Sequence, residues 1–260
     1  EWLQTEWPHL EVYCTSVTEQ ISTVAIVGPK SRELMSRLAP SLDVSNEAFA
    51  FMENKHADVA GVPARIARIS FSGELAYEIN VPAIYGLHIW ESVMAKGADL
   101  NITPYGTETM HVLRAEKGFV IVGQETDGTQ TPDDLDMNWI VSKKKDDFIG
   151  KRSFSRADTA REGRHQLVGI LADDGSYVIP EGAYIVAGAD EKTAPPVKHI
   201  GYITSSYDSA ALGRSFALAL VANGLARKGE KIAIPMADRV VTGVITDSVF
   251  VDKENTRRDG

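Results

Sequence analysis

The chain has 260 residues, 43% hydrophobic and 24% charged, a composition that suits a globular protein of one large or two modest domains. Its formal net charge of −9 argues against a nucleic-acid partner, no apolar run reaches the length of a membrane span, and the start, Glu1-Trp2-Leu3-Gln4-Thr5-Glu6-Trp7, lacks the basic and apolar regions of a signal peptide. A single cysteine, Cys14, excludes an intrachain disulfide and a multi-cysteine metal site, and fits a reducing, cytoplasmic setting.

A β-branched run over 20–27 predicts a strand ending at Gly28-Pro29. Pro29 suits the first turn of a helix that carries Leu34, Met35 and Leu38 and stops before Pro40. A hairpin is expected next: Ala64 to Ser70 alternates towards Phe71, Gly73-Glu74-Leu75-Ala76 turns the chain, and Tyr77 to Val81 returns it. Pro82 opens a second helix with Leu87, Trp90 and Met94 at helical spacing, closed by Gly97. A third amphipathic helix starts near Thr103 to Gly106 and closes at Gly118; a strand and an acidic, Gly-rich loop through Asp134 should follow.

Between Lys151 and Arg164 the sequence turns polar and charged, which places a domain boundary there and predicts proteolytic cutting in that window. Beyond it, short β-rich segments recur at 166–172, 183–187, 199–204, 216–221, 230–235 and 239–246, the signature of a small all-β barrel or sandwich. The expected class is therefore α+β: an antiparallel sheet with helices over 1–151, then an all-β barrel over 165–260.

The candidate chemistry is sparse. Alternation puts Tyr77, Ile79 and Val81 on one strand face and Glu78 and Asn80 on the other, and the pattern alone makes Glu78 a solvated carboxylate. Arg114 and Lys117 lie three apart on one helix face, open either to solvent or to an anionic ligand. Asp127, Asp133, Asp134 and Asp136 crowd one loop without calcium-loop spacing, so turn chemistry explains them better than a cation. Six histidines show no paired spacing, and no metal site is expected. Neither a Rossmann nor a P-loop glycine pattern is present.

Four stretches carry a resemblance. They are Tyr105-Gly106-Thr107-Glu108-Thr109-Met110-His111-Val112-Leu113-Arg114-Ala115-Glu116-Lys117-Gly118-Phe119 running on to Asp134, the hairpin Ser72-Gly73-Glu74-Leu75-Ala76-Tyr77-Glu78-Ile79, and the C-terminal His199-Ile200-Gly201-Tyr202 and Ser248-Val249-Phe250-Val251-Asp252. Together they resemble the aminomethyltransferase (glycine-cleavage T-protein) family of folate-binding domains, in the form found in the C-terminal part of sarcosine oxidase alpha subunits. The resemblance implies a domain that binds tetrahydrofolate and captures a one-carbon unit as 5,10-methylenetetrahydrofolate. It implies flavin and NAD on other segments or subunits, and the other oxidase subunits as partners. A dimethylglycine dehydrogenase or true aminomethyltransferase relative, or a subunit-docking module without catalysis, are the alternatives.

By the same resemblance Glu78 holds the pterin, accepting its adjacent N–H groups as a charge-assisted pair. Phe71, where the family commonly has tyrosine, walls the site, and Arg114 with Lys117 are candidates for the folate tail. Met110 stands where the family has a folate-contacting arginine. The aspartate thought to act near the folate N5 lies upstream of Glu1 in the family. Together with the missing initiator Met, that makes an N-terminally truncated piece with an incomplete folate site the expectation, one that binds tetrahydrofolate weakly or not at all by itself.

Overall fold

The computed structural model describes residues 2–188 and 198–260, which form two compact units. The first comprises Glu1–Ser70, Glu74–Pro104 and Arg257–Gly260; the second comprises Phe71–Gly73 and Tyr105–Thr256.

In the first unit, a short helix α1 (Trp2–Glu6) precedes strand β1 (Ile21–Val27) and helix α2 (Ser31–Leu38). Strands β2 (Asn54–Val59), β3 (Val62–Ala67) and β4 (Ala76–Pro82) and helix α3 (Gly86–Lys96) follow. The strands make one antiparallel sheet in the order β1-β4-β3-β2. One face carries Val24, Ile26, Val62, Ala64, Ile66, Tyr77, Ile79 and Val81 into a core closed by Leu34, Met35 and Leu38 of α2 and by Ile89 and Val93 of α3. The alternation in β4 thus resolves as expected, with Tyr77, Ile79 and Val81 inward.

Two expectations change. Strand β2 is added to the predicted hairpin and turns into β3 at Ala60-Gly61, both at positive φ. The stripe Leu87–Trp90 is not the packed face of α3: Leu87 is 69% exposed and Trp90 45%, whereas Ile89 and Val93 are buried. A helix with apolar residues on more than one face leaves periodicity unable to choose between them.

In the second unit, helix α4 (Thr107–Glu116) ends with Gly118 at φ +72. A Cβ there would stand 2.6 Å from the Ser248 carbonyl oxygen, so only glycine fits. No strand follows; residues 119–134 are irregular apart from an isolated bridge between Val122 and Thr126.

The remaining chain forms β5 (His165–Ala172), β6 (Tyr184–Ala187), β7 (Gly201–Ser209), β8 (Arg214–Ala222), β9 (Lys231–Pro235) and β10 (Val240–Thr246). They close into a barrel in the order β10-β5-β8-β7-β6-β9. Its interior is filled by Val168, Ile170, Ile185, Ile203, Ala217, Ala219, Val221, Ile232, Ile234 and Ile245. Leu167, Phe216, Leu218 and Leu220, on the outer face, pack instead with Ala115 and Val112 of α4. Both faces of β8 are covered, which is why Phe216 to Val221 reads as an unbroken apolar run. A short helix α5 (Thr256–Asp259) ends the chain. The composition shift at 152–164 falls inside the second unit, because compactness follows side-chain packing and α4 packs on the barrel. Among the described residues no helix is long and apolar enough to cross a membrane.

Candidate functional site

Glu78 sits in β4 opposite Ala25 of β1 and Ala67 of β3. Small neighbours on both sides leave its carboxylate half-buried, and it has no side-chain hydrogen bond or ion pair among the described residues. Two residues on, Asn80 lies between Thr23 and Arg65 and accepts a 2.9 Å hydrogen bond from the Thr23 hydroxyl. A groove of about 630 Å³ opens nearby, bordered by Ile21, His56, Arg65, Asn80 and Pro82; Glu78 does not line it. Phe71, in the second unit, is 39% exposed.

Arg114 and Lys117 lie elsewhere than an exposed helix face. Arg114 is fully buried and ion-paired at 2.8 Å with Glu125, itself fully buried. It also donates to the Phe119 carbonyl (3.1 Å), the Ser205 hydroxyl (2.7 Å) and the Tyr207 hydroxyl (3.5 Å). Glu125 takes a further hydrogen bond from the Ile121 amide at 2.7 Å and one from Ser205. A guanidinium matched in this way is committed within the protein. Lys117 is 5% exposed; its ammonium donates to the Asp252 carbonyl and pairs with the Asp252 carboxylate at 3.3 Å.

The intervening Glu116 accepts from Ser209 at 2.6 Å, and its carbonyl receives the Phe250 and Val251 amides. The C-terminal end of α4 is thus tied to β7 and to the segment after β10 by the charged side chains of Arg114, Glu116 and Lys117. Met110 and His111, one turn earlier, are half-buried. The sequence reading missed Glu125, Ser205 and Asp252 as partners, and spacing offered no signal for them, since Ser205 lies 91 residues from Arg114.

The acidic loop is also committed internally. Asp134 is buried and accepts from Arg164 Nε and Nη2 (2.9 and 2.6 Å) and from the Thr131 amide (2.7 Å). Burial acts to raise its carboxyl, but these donors hold it below the usual carboxylate range. Asp127 accepts from the Thr129 amide and hydroxyl, which hold its carboxyl low, and Asp133 accepts from Asn138. No group of three or more metal-binding side chains gathers among the described residues.

Residues 1–145 match the GCVT N-terminal domain, and residues 165–252 match the glycine cleavage T-protein C-terminal barrel domain. The chain is 56% identical over its whole length to the sarcosine oxidase subunit alpha of a Corynebacterium sp. (strain P-1), of which it spans 27%. Over 97% of its length it is 28% identical to an aminomethyltransferase of Thermoanaerobacter pseudethanolicus, spanning 66% of that protein. The crystal structure of the glycine cleavage system aminomethyltransferase T from Bartonella henselae shares the fold, with a TM-score of 0.74 at 20% identity over 90% of this chain and 60% of that one. The chain therefore belongs to the glycine-cleavage T-protein family.

Proposed function

We propose that this chain is the tetrahydrofolate-handling part of a longer protein of the sarcosine oxidase alpha-subunit kind. One observation carries the reading. Glu78, in the segment Ser72 to Glu78, is a half-buried carboxylate held on a sheet strand with no partner among the described residues. A reduced pterin presents two adjacent N–H donors, and an unpaired carboxylate with small flanking residues suits that pair. Tetrahydrofolate, when bound, supplies a nucleophilic nitrogen that takes up the one-carbon unit of an oxidised N-methyl group. Glu78 would orient the pterin. Arg114 and Lys117, each matched to a carboxylate inside the protein, would serve by fixing α4 rather than by holding the tail. Flavin and NAD, and the oxidation of the amine, belong on this reading to other segments or subunits.

The test is Glu78→Gln in the full-length protein. An amide keeps one acceptor and brings a donor to an edge that already donates. A lost charged hydrogen bond costs about 1.5–3 kcal/mol, roughly ten- to a hundredfold in affinity. Tetrahydrofolate binding should weaken by that factor and formaldehyde release should rise, with flavin reduction by sarcosine near wild type. Unchanged folate affinity together with slowed flavin reduction would refute the assignment. A second reading, a subunit-docking module, is favoured by the exposed apolar residues Ile84 (85%), Leu87 (69%) and Trp90 (45%); on that reading no Glu78 variant alters folate affinity.

A further inference from the structure

Arg68 is 2% exposed, yet among the described residues no side-chain carboxylate hydrogen-bonds its guanidinium. Its partners are two backbone carbonyls, those of Phe49 and, at 2.7 Å, Asp259, while its Nε has none. A buried cation needs fixed acceptors and a nearby negative charge, and Asp259 brings both: its backbone oxygen to Arg68 and its carboxylate to Arg258 at 2.8 Å.

The same short segment is gripped at four more points, all within the first unit. Arg32 donates to the Asp259 carbonyl at 3.2 Å while also holding the Val44 carbonyl and Asn46. Asn46 reaches the Gly260 carbonyl at 3.4 Å. The Arg258 guanidinium lies 4.1 Å from the centre of the Phe51 ring, and Arg257 pairs with Glu74 at 3.3 Å. Gly260 has φ +80, a conformation other residues rarely adopt, and a Cβ there would meet Arg32 Nη2 at 2.8 Å and a Leu75 methyl at 2.9 Å.

We infer that the first unit carries a built peptide-binding site, filled in cis by Arg257–Gly260, with Arg68, Arg32 and Asn46 as its backbone-reading donors and glycine favoured at its last position by the positive φ. The partner it fits is an Arg-Arg-Asp-Gly segment wound into a single helical turn, read through main-chain carbonyls on one side and an arginine–aromatic contact on the other. The site has a consequence for β4. Leu75, whose methyl lies where a Cβ on Gly260 would point, accepts at its carbonyl from the Gly28 amide (2.8 Å) and the Ser31 hydroxyl (2.9 Å), and it directly precedes β4. The segment thus acts as a clasp on the turn that leads to Glu78. Only this last link rests on the folate reading; the peptide site does not.

Amide hydrogen exchange tests the clasp. A chain ending at Thr256 should exchange the Gly28, Met52 and Arg68 amides ~10-fold or more faster than the full chain, with β8 amides unchanged. The synthetic peptide Thr-Arg-Arg-Asp-Gly should restore protection saturably, and a version with alanine in last place should do so far less well. Arg68→Met in the shortened chain should abolish the peptide's effect. Retained protection without the segment, equal loss in β8, or no response to peptide would each overturn the inference. Should the shortened chain fail to fold, Gly260→Ala in the full chain puts the same question to the same amides: faster exchange confined to them supports the site, and unchanged exchange refutes it.

Discussion

Arg114 and Glu125, both fully buried, meet at 2.8 Å and share Ser205 as a third member. Each is expensive to bury alone and tolerable only with the other present. In urea unfolding, Arg114→Met or Glu125→Leu alone should cost about 3–5 kcal/mol, since each strands a buried charge. The double substitution should cost clearly less than the sum, because no uncompensated charge remains. Additive costs would mean that the two residues stabilise the protein independently. At this scale the sequence was legible for Glu78, whose alternation in β4 was readable from its neighbours, but not for Arg114. A helix face bearing Arg114 and Lys117 looks exposed when viewed alone, and it is buried here because partners at Glu125, Ser205 and Asp252 supply matching groups that local spacing does not encode.

The elements differ in how much of their packing is local. Strands β5 to β10 were recoverable because each contains a short β-rich segment with turn signals nearby, and closure of the barrel makes use of every one of them. Helix α3 misled because Leu87 and Trp90 share helical spacing with the residues that are buried. The loop from Thr129 to Asn138 is held by Asp134, whose carboxylate takes three hydrogen bonds from Arg164 and whose carbonyl receives the Leu167 amide at 2.7 Å. Burial would raise the Asp134 carboxyl, but Arg164 and Thr131 lower it on balance, so its folded pKa lies below its unfolded one. The stabilisation is therefore complete above the unfolded value of about 4 and disappears as pH falls through the lower folded value. Asp134→Asn should lower stability at pH 7 by about 3 kcal/mol, and the gap from wild type should narrow progressively below pH ~4. A gap independent of pH down to the acid unfolding transition would show that the Asp134 charge contributes nothing.

Across the whole molecule, the boundary proposed from composition at 152–164 and the packing of the second unit pull in different directions, and one digestion distinguishes their consequences. Lys143, Lys144, Lys145, Lys151, Arg152, Arg156 and Arg161 are all exposed in a stretch without long helices or strands, so trypsin should cut there before it cuts α4 or the barrel. Arg164, just beyond, is anchored to Asp134 and should resist. The contacts that cross the cut are numerous and buried: Arg114 to Ser205, Glu116 to Ser209, Lys117 to Asp252, and Ala115 against Leu167 and Leu218. Losing the covalent link adds a cost of association, but the apolar and ionic contacts are those of a folded core rather than of a linker. Denaturing electrophoresis should therefore show two halves, the smaller beginning near Glu162, while gel filtration under native conditions returns them as one species of unchanged volume. Separation of the halves without denaturant would mean that α4 does not depend on the barrel for its place, and that the composition boundary is also the mechanical one.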